Sequence, residues 1–217
     1  MSPVTAVVCL HGLWMPGGVM LLVKRRLQNR YQYRAHLFSY PSHRGTLDDN
    51  ARFLAEFIAA KEFDRVHIVA HSLGGVVALR MLALVPEVPV ERVVCLGSPL
   101  CGSRAASHLT RKDWGYKVLG KTVTAGVINE TASQWAREVC VSREIGIIAG
   151  TVPAGMGRFV MAFDEESDGT IAVSDTRLPG AKDHLCMPVT HTGLVFSKDV
   201  ADQVAAFLKR GEFLRDT

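Results

Sequence analysis

Short β-branched runs alternate with segments of helical period through the first half of the chain. This is the pattern of a parallel sheet covered on both faces. It predicts strands at Thr5 to Leu10, Arg34 to Ser39, Arg65 to Ala70 and Val90 to Leu96, with helices between them at about Val19 to Arg30, Leu47 to Lys61 and Leu73 to Leu84. Thr46, three residues before Asp49, can cap the second helix, because its hydroxyl accepts an orphan amide and the carboxylate suits the positive helix end. Pro86 and Pro89 close off the third helix.

From Cys101 to Val141 the period weakens, with Gly and Thr scattered and one helix predicted near Ala132 to Val139. A connection this long is expected to carry helices of its own and to overhang a site as a small cap-like insertion. Glu144 to Ala149 reads as a further strand, followed by a glycine-rich loop, Gly150 to Gly157. A last strand is predicted at about His184 to Val189, before a turn at His191 and a terminal helix from Lys198 to Lys209. No repeat, low-complexity tract or linker divides residues 1–217, so one α/β domain is expected.

Length and composition fit that picture: 217 residues at 48% hydrophobic can bury one sizeable core. The formal charge of +4 is small and its Lys and Arg residues are interspersed with acids, which argues against nucleic acid as a partner. The stretch from Arg104 to Lys121 departs from this, holding Arg104, Arg111, Lys112, Lys117 and Lys121 against Asp113. A solvated face is the ordinary reading of such a run, and weak attraction to an anionic lipid surface is the functional one. Met1 to Leu10 lacks a basic n-region and a full h-region, and no stretch reaches the roughly 18 to 20 apolar residues of a membrane span. A cytoplasmic protein is expected. Cys9, Cys95, Cys101, Cys140 and Cys186 form no C-x-x-C pair, which fits reduced thiols and no metal site.

The chemistry concentrates at Val66-His67-Ile68-Val69-Ala70-His71-Ser72-Leu73-Gly74-Gly75, a strand running into a helix through a sharp turn with Ser72 at its tip. Such a nucleophile elbow strains the serine backbone and needs small residues on either side, here Ala70 and Gly74. The alternative for Ser72 is a helix N-cap. A serine hydroxyl needs a base within hydrogen-bond reach, and elbows of this kind take a histidine that follows the final strand. His191, in Val189-Thr190-His191-Thr192-Gly193, stands there, whereas His184 falls where the strand begins and reads as structural.

A carboxylate must orient that imidazole. Asp164, Asp168, Asp175 and Asp183 are in range. Asp168 is chosen because Asp168-Gly169 marks a turn able to present it, with Asp164 and Asp175 as alternatives. The developing oxyanion takes one amide from the residue after the nucleophile and one from the loop after the first strand, Leu73 and Leu13. His11 reads as a brace for that loop. Trp14, Met15, Met20, Phe159 and Met161 are candidates for an apolar acyl wall.

Four stretches now resemble the α/β-hydrolase superfamily: Val7 to Trp14 with His-Gly, Ala70 to Gly75, Gly97-Ser98-Pro99, and His191-Thr192-Gly193-Leu194. Within it the chain is similar to the small bacterial esterases and lipases of the Bacillus lipase A type, whose elbow takes the same Ala-x-Ser-x-Gly form. The resemblance implies a mostly parallel sheet with helices on both faces and little or no lid. It also implies hydrolysis of carboxylic esters of short to medium acyl chain through an acyl-serine, with small-molecule or lipid ester substrates and no cofactor. Thioester, amide or phospholipid hydrolysis and acyl transfer use the same three residues. A ligand-binding protein on this fold would usually have lost one of them. The stretch from Cys101 to Asp168 is longer than in the minimal lipases.

Overall fold

The computed structural model describes residues 5–111, 115–154 and 164–215. Six parallel strands form one sheet in the order β2-β1-β3-β4-β5-β6: β1 (Ala6–Leu10), β2 (Arg34–Phe38), β3 (Val66–His71), β4 (Val90–Leu96), β5 (Glu144–Gly150) and β6 (Asp183–Met187). Helices α1 (Leu21–Tyr31), α2 (Leu47–Ala59) and α3 (Leu73–Leu84) fall where the periodicity predicts them, with a 3₁₀ turn, Gly17–Met20, leading into α1. The last strand lies one to two residues earlier than expected.

The alternation of a strand explains why the central runs are largely apolar. On β4, Val93 and Cys95 join one core layer while Val94 and Leu96 join the other. The same division separates Val8 and Leu10 from Val7 and Cys9 on β1. Both faces are covered, so the side chains of both sets are mostly apolar, and the polar ones among them, such as His67, are buried as well. The first layer packs Leu54, Ile58, Leu79 and Met81 from α2 and α3, and the second packs Leu27 of α1 with Val204 and Phe207 of the terminal helix. Met20, a candidate for the acyl wall whose ordinary reading is core packing, is fully buried in that second layer and does not line the cavity described below. Cys9 and Cys95 serve as small core side chains, and burial pushes both thiols up to about 12.

Between β4 and β5 the described residues form four short helices: α4 (Arg104–Leu109), α5 (Gly115–Val123), α6 (Ala132–Trp135) and α7 (Arg137–Ser142). α5 kinks at Gly120 (φ 77°) and runs into a π-type turn, Thr124–Asn129. The single helix expected near 132–139 is two, parted at Ala136 (φ −89°, ψ 11°). After β6 come α8 (Gly193–Phe196) and α9 (Lys198–Arg210), the latter capped by Ser197, whose hydroxyl accepts from the Val200 amide at 3.3 Å. Thr46 caps α2 as predicted, accepting from the Asp49 amide at 3.1 Å. Among the described residues no helix is long and apolar enough to cross a membrane.

One core histidine makes stability depend on pH. His67 of β3 is buried against Tyr33, and burial first, then Arg92 and Arg65, lower its pKa to about 4. The folded ring stays neutral while the unfolded chain takes up a proton below its ordinary value near 6.5, so the unfolded state binds more protons as pH falls. Stability is therefore present in full above pH 6.5 and is lost between 6.5 and about 4, by about 3 kcal/mol for this group. The melting temperature of His67→Leu should fall less steeply than wild type across that window; parallel curves would refute the assignment.

Candidate active site

Ser72 sits between β3 and α3 with φ 53° and ψ −124°, a region that side chains rarely adopt. Its amide donates to the carbonyl oxygen of Leu96 at 2.8 Å, which continues the sheet ladder to the turn. Ser72 does occupy the N-cap position of α3, yet its side chain makes no capping hydrogen bond. Gly74 has a steric reason, because a Cβ there would come within 2.7 Å of the His11 carbonyl oxygen. The start of α3 thus lies directly against the loop after β1.

That loop is braced by His11, as expected. The Tyr40 amide donates to His11 Nε2 at 3.2 Å, so the ring proton is on Nδ1, which donates to the Gly12 carbonyl at 2.8 Å. Tyr40 also stacks on the ring at 4.5 Å, and its hydroxyl donates to the His11 carbonyl at 2.9 Å. Burial lowers the His11 pKa and keeps it uncharged. Two backbone amides lie close to Ser72: that of Leu73, next in the chain, and that of Leu13, which follows Gly12, where an added Cβ would come within 2.9 Å of the Ser72 Cβ. Leu73 is the first residue of α3, so its amide is one of the helix's orphan donors. The Leu13 amide makes no hydrogen bond among the described residues.

His191 and Asp168 are brought together. Nδ1 of His191 donates to Asp168 Oδ2 at 2.6 Å, and the His191 amide donates to the Asp168 carbonyl at 2.9 Å. The other carboxylate oxygen accepts from the amides of Thr170 and Ile171 at 2.9 and 2.7 Å, so Asp168 is fixed by its own turn. The proton on Nδ1 leaves Nε2 with a free lone pair. The other carboxylates lie elsewhere: Asp164 is exposed, Asp175 meets Arg104, and Asp183 pairs with Arg215 at 2.5 Å. His184 is structural, its Nε2 lying 2.9 Å from the Thr176 hydroxyl.

Gly97 and His71 were not assigned roles by the sequence. A Cβ on Gly97 (φ 57°) would meet Asp168 Oδ2 at 2.9 Å and His191 Nδ1 at 3.2 Å, so only a glycine lets the pair close over the end of β4. His71 is fully buried, its ring 4.6 Å from that of His191, and its Nε2 donates to the His191 carbonyl at 3.0 Å. Gly97 follows a strand and precedes Ser98-Pro99, a turn signal. Nothing local marks His71, because its partner is 120 residues away.

Ser72 and His191 line one cavity of about 360 Å³, together with Leu13, Trp14, Met15 and Leu73. Its far wall is the insertion: Ala105, Ala106 and Leu109 of α4, Leu119 and Val123 of α5, and Val127. The lining is largely apolar, the setting in which a few placed polar groups act at low dielectric. Phe159 and Met161 lie outside the described residues. Among the described residues no three His, Cys, Asp or Glu side chains converge as a metal would require.

The chain belongs to the alpha/beta hydrolase family, whose model matches residues 7–210. Over 120 residues it is 32% identical to a pimeloyl-[acyl-carrier protein] methyl ester esterase of Nitrosomonas europaea, a match spanning 54% of this chain and 44% of that protein. Among solved structures it is similar to the mature lipase BlEst2 of Bacillus licheniformis, with a TM-score of 0.75 and 19% identity over 98% of this chain and 94% of that one. Phospholipase PlaB of Legionella pneumophila superposes with a TM-score of 0.63 at 17% identity, over 80% of this chain and 45% of that one.

Proposed function

We propose that the protein is a serine carboxylic ester hydrolase acting on short to medium acyl chains. The observation that carries the reading is the 2.6 Å contact of His191 Nδ1 with Asp168, on a histidine that lines the same apolar cavity as the strained Ser72. Ser72 Oγ attacks the ester carbonyl carbon while Nε2 of His191 takes the hydroxyl proton. The carbonyl oxygen becomes an oxyanion received by the amides of Leu13 and Leu73. Collapse breaks the ester bond, His191 returns its proton to the departing alkoxide, and an acyl-serine remains. Water then attacks the acyl carbon with His191 again as base, releasing the carboxylic acid and restoring the Ser72 hydroxyl. Asp168 holds the ring in the tautomer this requires and offsets its charge.

A fluorophosphonate should label Ser72 and abolish hydrolysis of p-nitrophenyl esters. Labelling elsewhere, or full activity after labelling, would sink the proposal. Across an acetate-to-palmitate series, each methylene that enters the cavity adds up to about 0.8 kcal/mol, or about fourfold in kcat/KM, until the space is full. Ala106→Phe fills part of the wall lent by α4 and should move the optimum to a shorter chain, leaving acetate hydrolysis nearly unchanged. An unmoved optimum would place the acyl chain elsewhere.

A further inference from the structure

Outside the cavity, Arg44, Lys117 and Lys121 line an open groove of about 780 Å³ with His43 and Tyr116, and among the described residues no acidic side chain lines it. None of the three cations makes a salt bridge among the described residues. The groove and the apolar cavity share a wall: Thr124 lines the groove, whereas Val123 and Val127 line the cavity. Trp14, a cavity residue, is 56% exposed, and its amide donates to the Ser42 hydroxyl at 3.2 Å. The next residue, His43, reaches the Lys117 carbonyl through Nε2 at 2.7 Å. Tyr116 is 50% exposed. One half-exposed amphipathic aromatic thus lines the cavity, and a second lines the neighbouring groove with the three cations.

Trp and Tyr settle at the headgroup level of bilayers, their rings in the apolar boundary and their polar edges in water. Each Lys or Arg beside an anionic leaflet gains about fivefold in partition. An acidic protein would answer the charge but would not call for exposed rings beside an apolar cavity. We propose that this surface docks the protein peripherally on an anionic lipid bilayer, with Arg44, Lys117 and Lys121 at the phosphates and Trp14 and Tyr116 among the headgroups, so that lipid-borne esters reach the cavity. Their hydrolysis rests on the reading of the site given above; docking itself does not require Ser72.

Co-sedimentation of the full chain with phosphatidylcholine vesicles, with and without phosphatidylglycerol, tests this. Binding should require phosphatidylglycerol, weaken with salt, and shift tryptophan emission to the blue in wild type but not in Trp14→Phe. The pair Lys117→Glu and Lys121→Glu should weaken partition by about 30-fold or more, with the melting temperature and hydrolysis of a soluble ester unchanged. Lys209→Glu with Arg210→Glu makes the same change in net charge on α9 and should bind as wild type. Ser72→Ala should also bind as wild type, which separates a failure of docking from a failure of the chemistry. Absence of binding, equal loss in the α9 control, or tight binding of polyglutamate with no response from Trp14 would overturn the proposal, the last in favour of an acidic protein.

Discussion

Ser72→Ala is expected to lower kcat for p-nitrophenyl butyrate by about 10⁴-fold or more, with little change in melting temperature. The two halves of that expectation have separate causes. Ser72 holds φ 53° because the β3–α3 turn imposes it, and alanine has the same Cβ and the same backbone cost. Its hydroxyl caps nothing in α3, so its removal leaves no helix donor newly unsatisfied. Fold stability therefore stays where it was, while the atom that would form the acyl bond is gone. Residual hydrolysis above the uncatalysed rate would come from the Leu13 and Leu73 amides and from binding. A folded variant within tenfold of wild type would remove Ser72 from the chemistry.

Asp168→Asn should cost nearly as much, about 10⁴-fold in kcat, for a subtler reason. The turn amides of Thr170 and Ile171 both donate to Oδ1, so the asparagine carbonyl is held on that side. Its NH₂ then faces His191 and can only donate, which forces Nδ1 to become the acceptor and moves the ring proton to Nε2. Nε2 is the atom the mechanism needs as a base. KM should change little, since Asp168 is buried and does not line the cavity. Wild-type kcat in this variant would mean that the histidine needs no carboxylate partner.

The strands were legible because burial on both faces makes them nearly continuous apolar runs, as in Ala6 to Leu10. β6 was placed less exactly because it is an edge strand, its residues Asp183 to Met187 only part-buried or exposed and so carrying a mixed pattern. Ser72 and His191 could be singled out as candidates because each lies in a short local signature. Asp168 could be chosen from its turn, since a tight Asp-Gly presents a side chain whatever surrounds it. The cavity wall could not be read in the same way. Ala106, Leu119 and Val127 line it only because short helices interrupted by Gly115 and Gly120 fold back over the sheet, and helices of four to nine residues leave little periodicity. Met20 was open for the complementary reason: its apolar character is the same whether it faces a ligand or a core, and the structure places it in the core.

The insertion leaves the sheet after β4 and rejoins it at β5, and the pairing of those strands runs unbroken from Arg92 opposite Glu144 to Leu96 opposite Ile148. Asp168 and His191 come later in the chain, Ser72 and Leu13 earlier. The segment that forms the far wall of the cavity is thus anchored to a rigid ladder at both ends, packs Ala132 and Val139 into the core of the sheet, and contributes none of the proposed reacting groups. Changes on its cavity face alone therefore reshape the space beside Ser72 and leave the proposed proton path as it is.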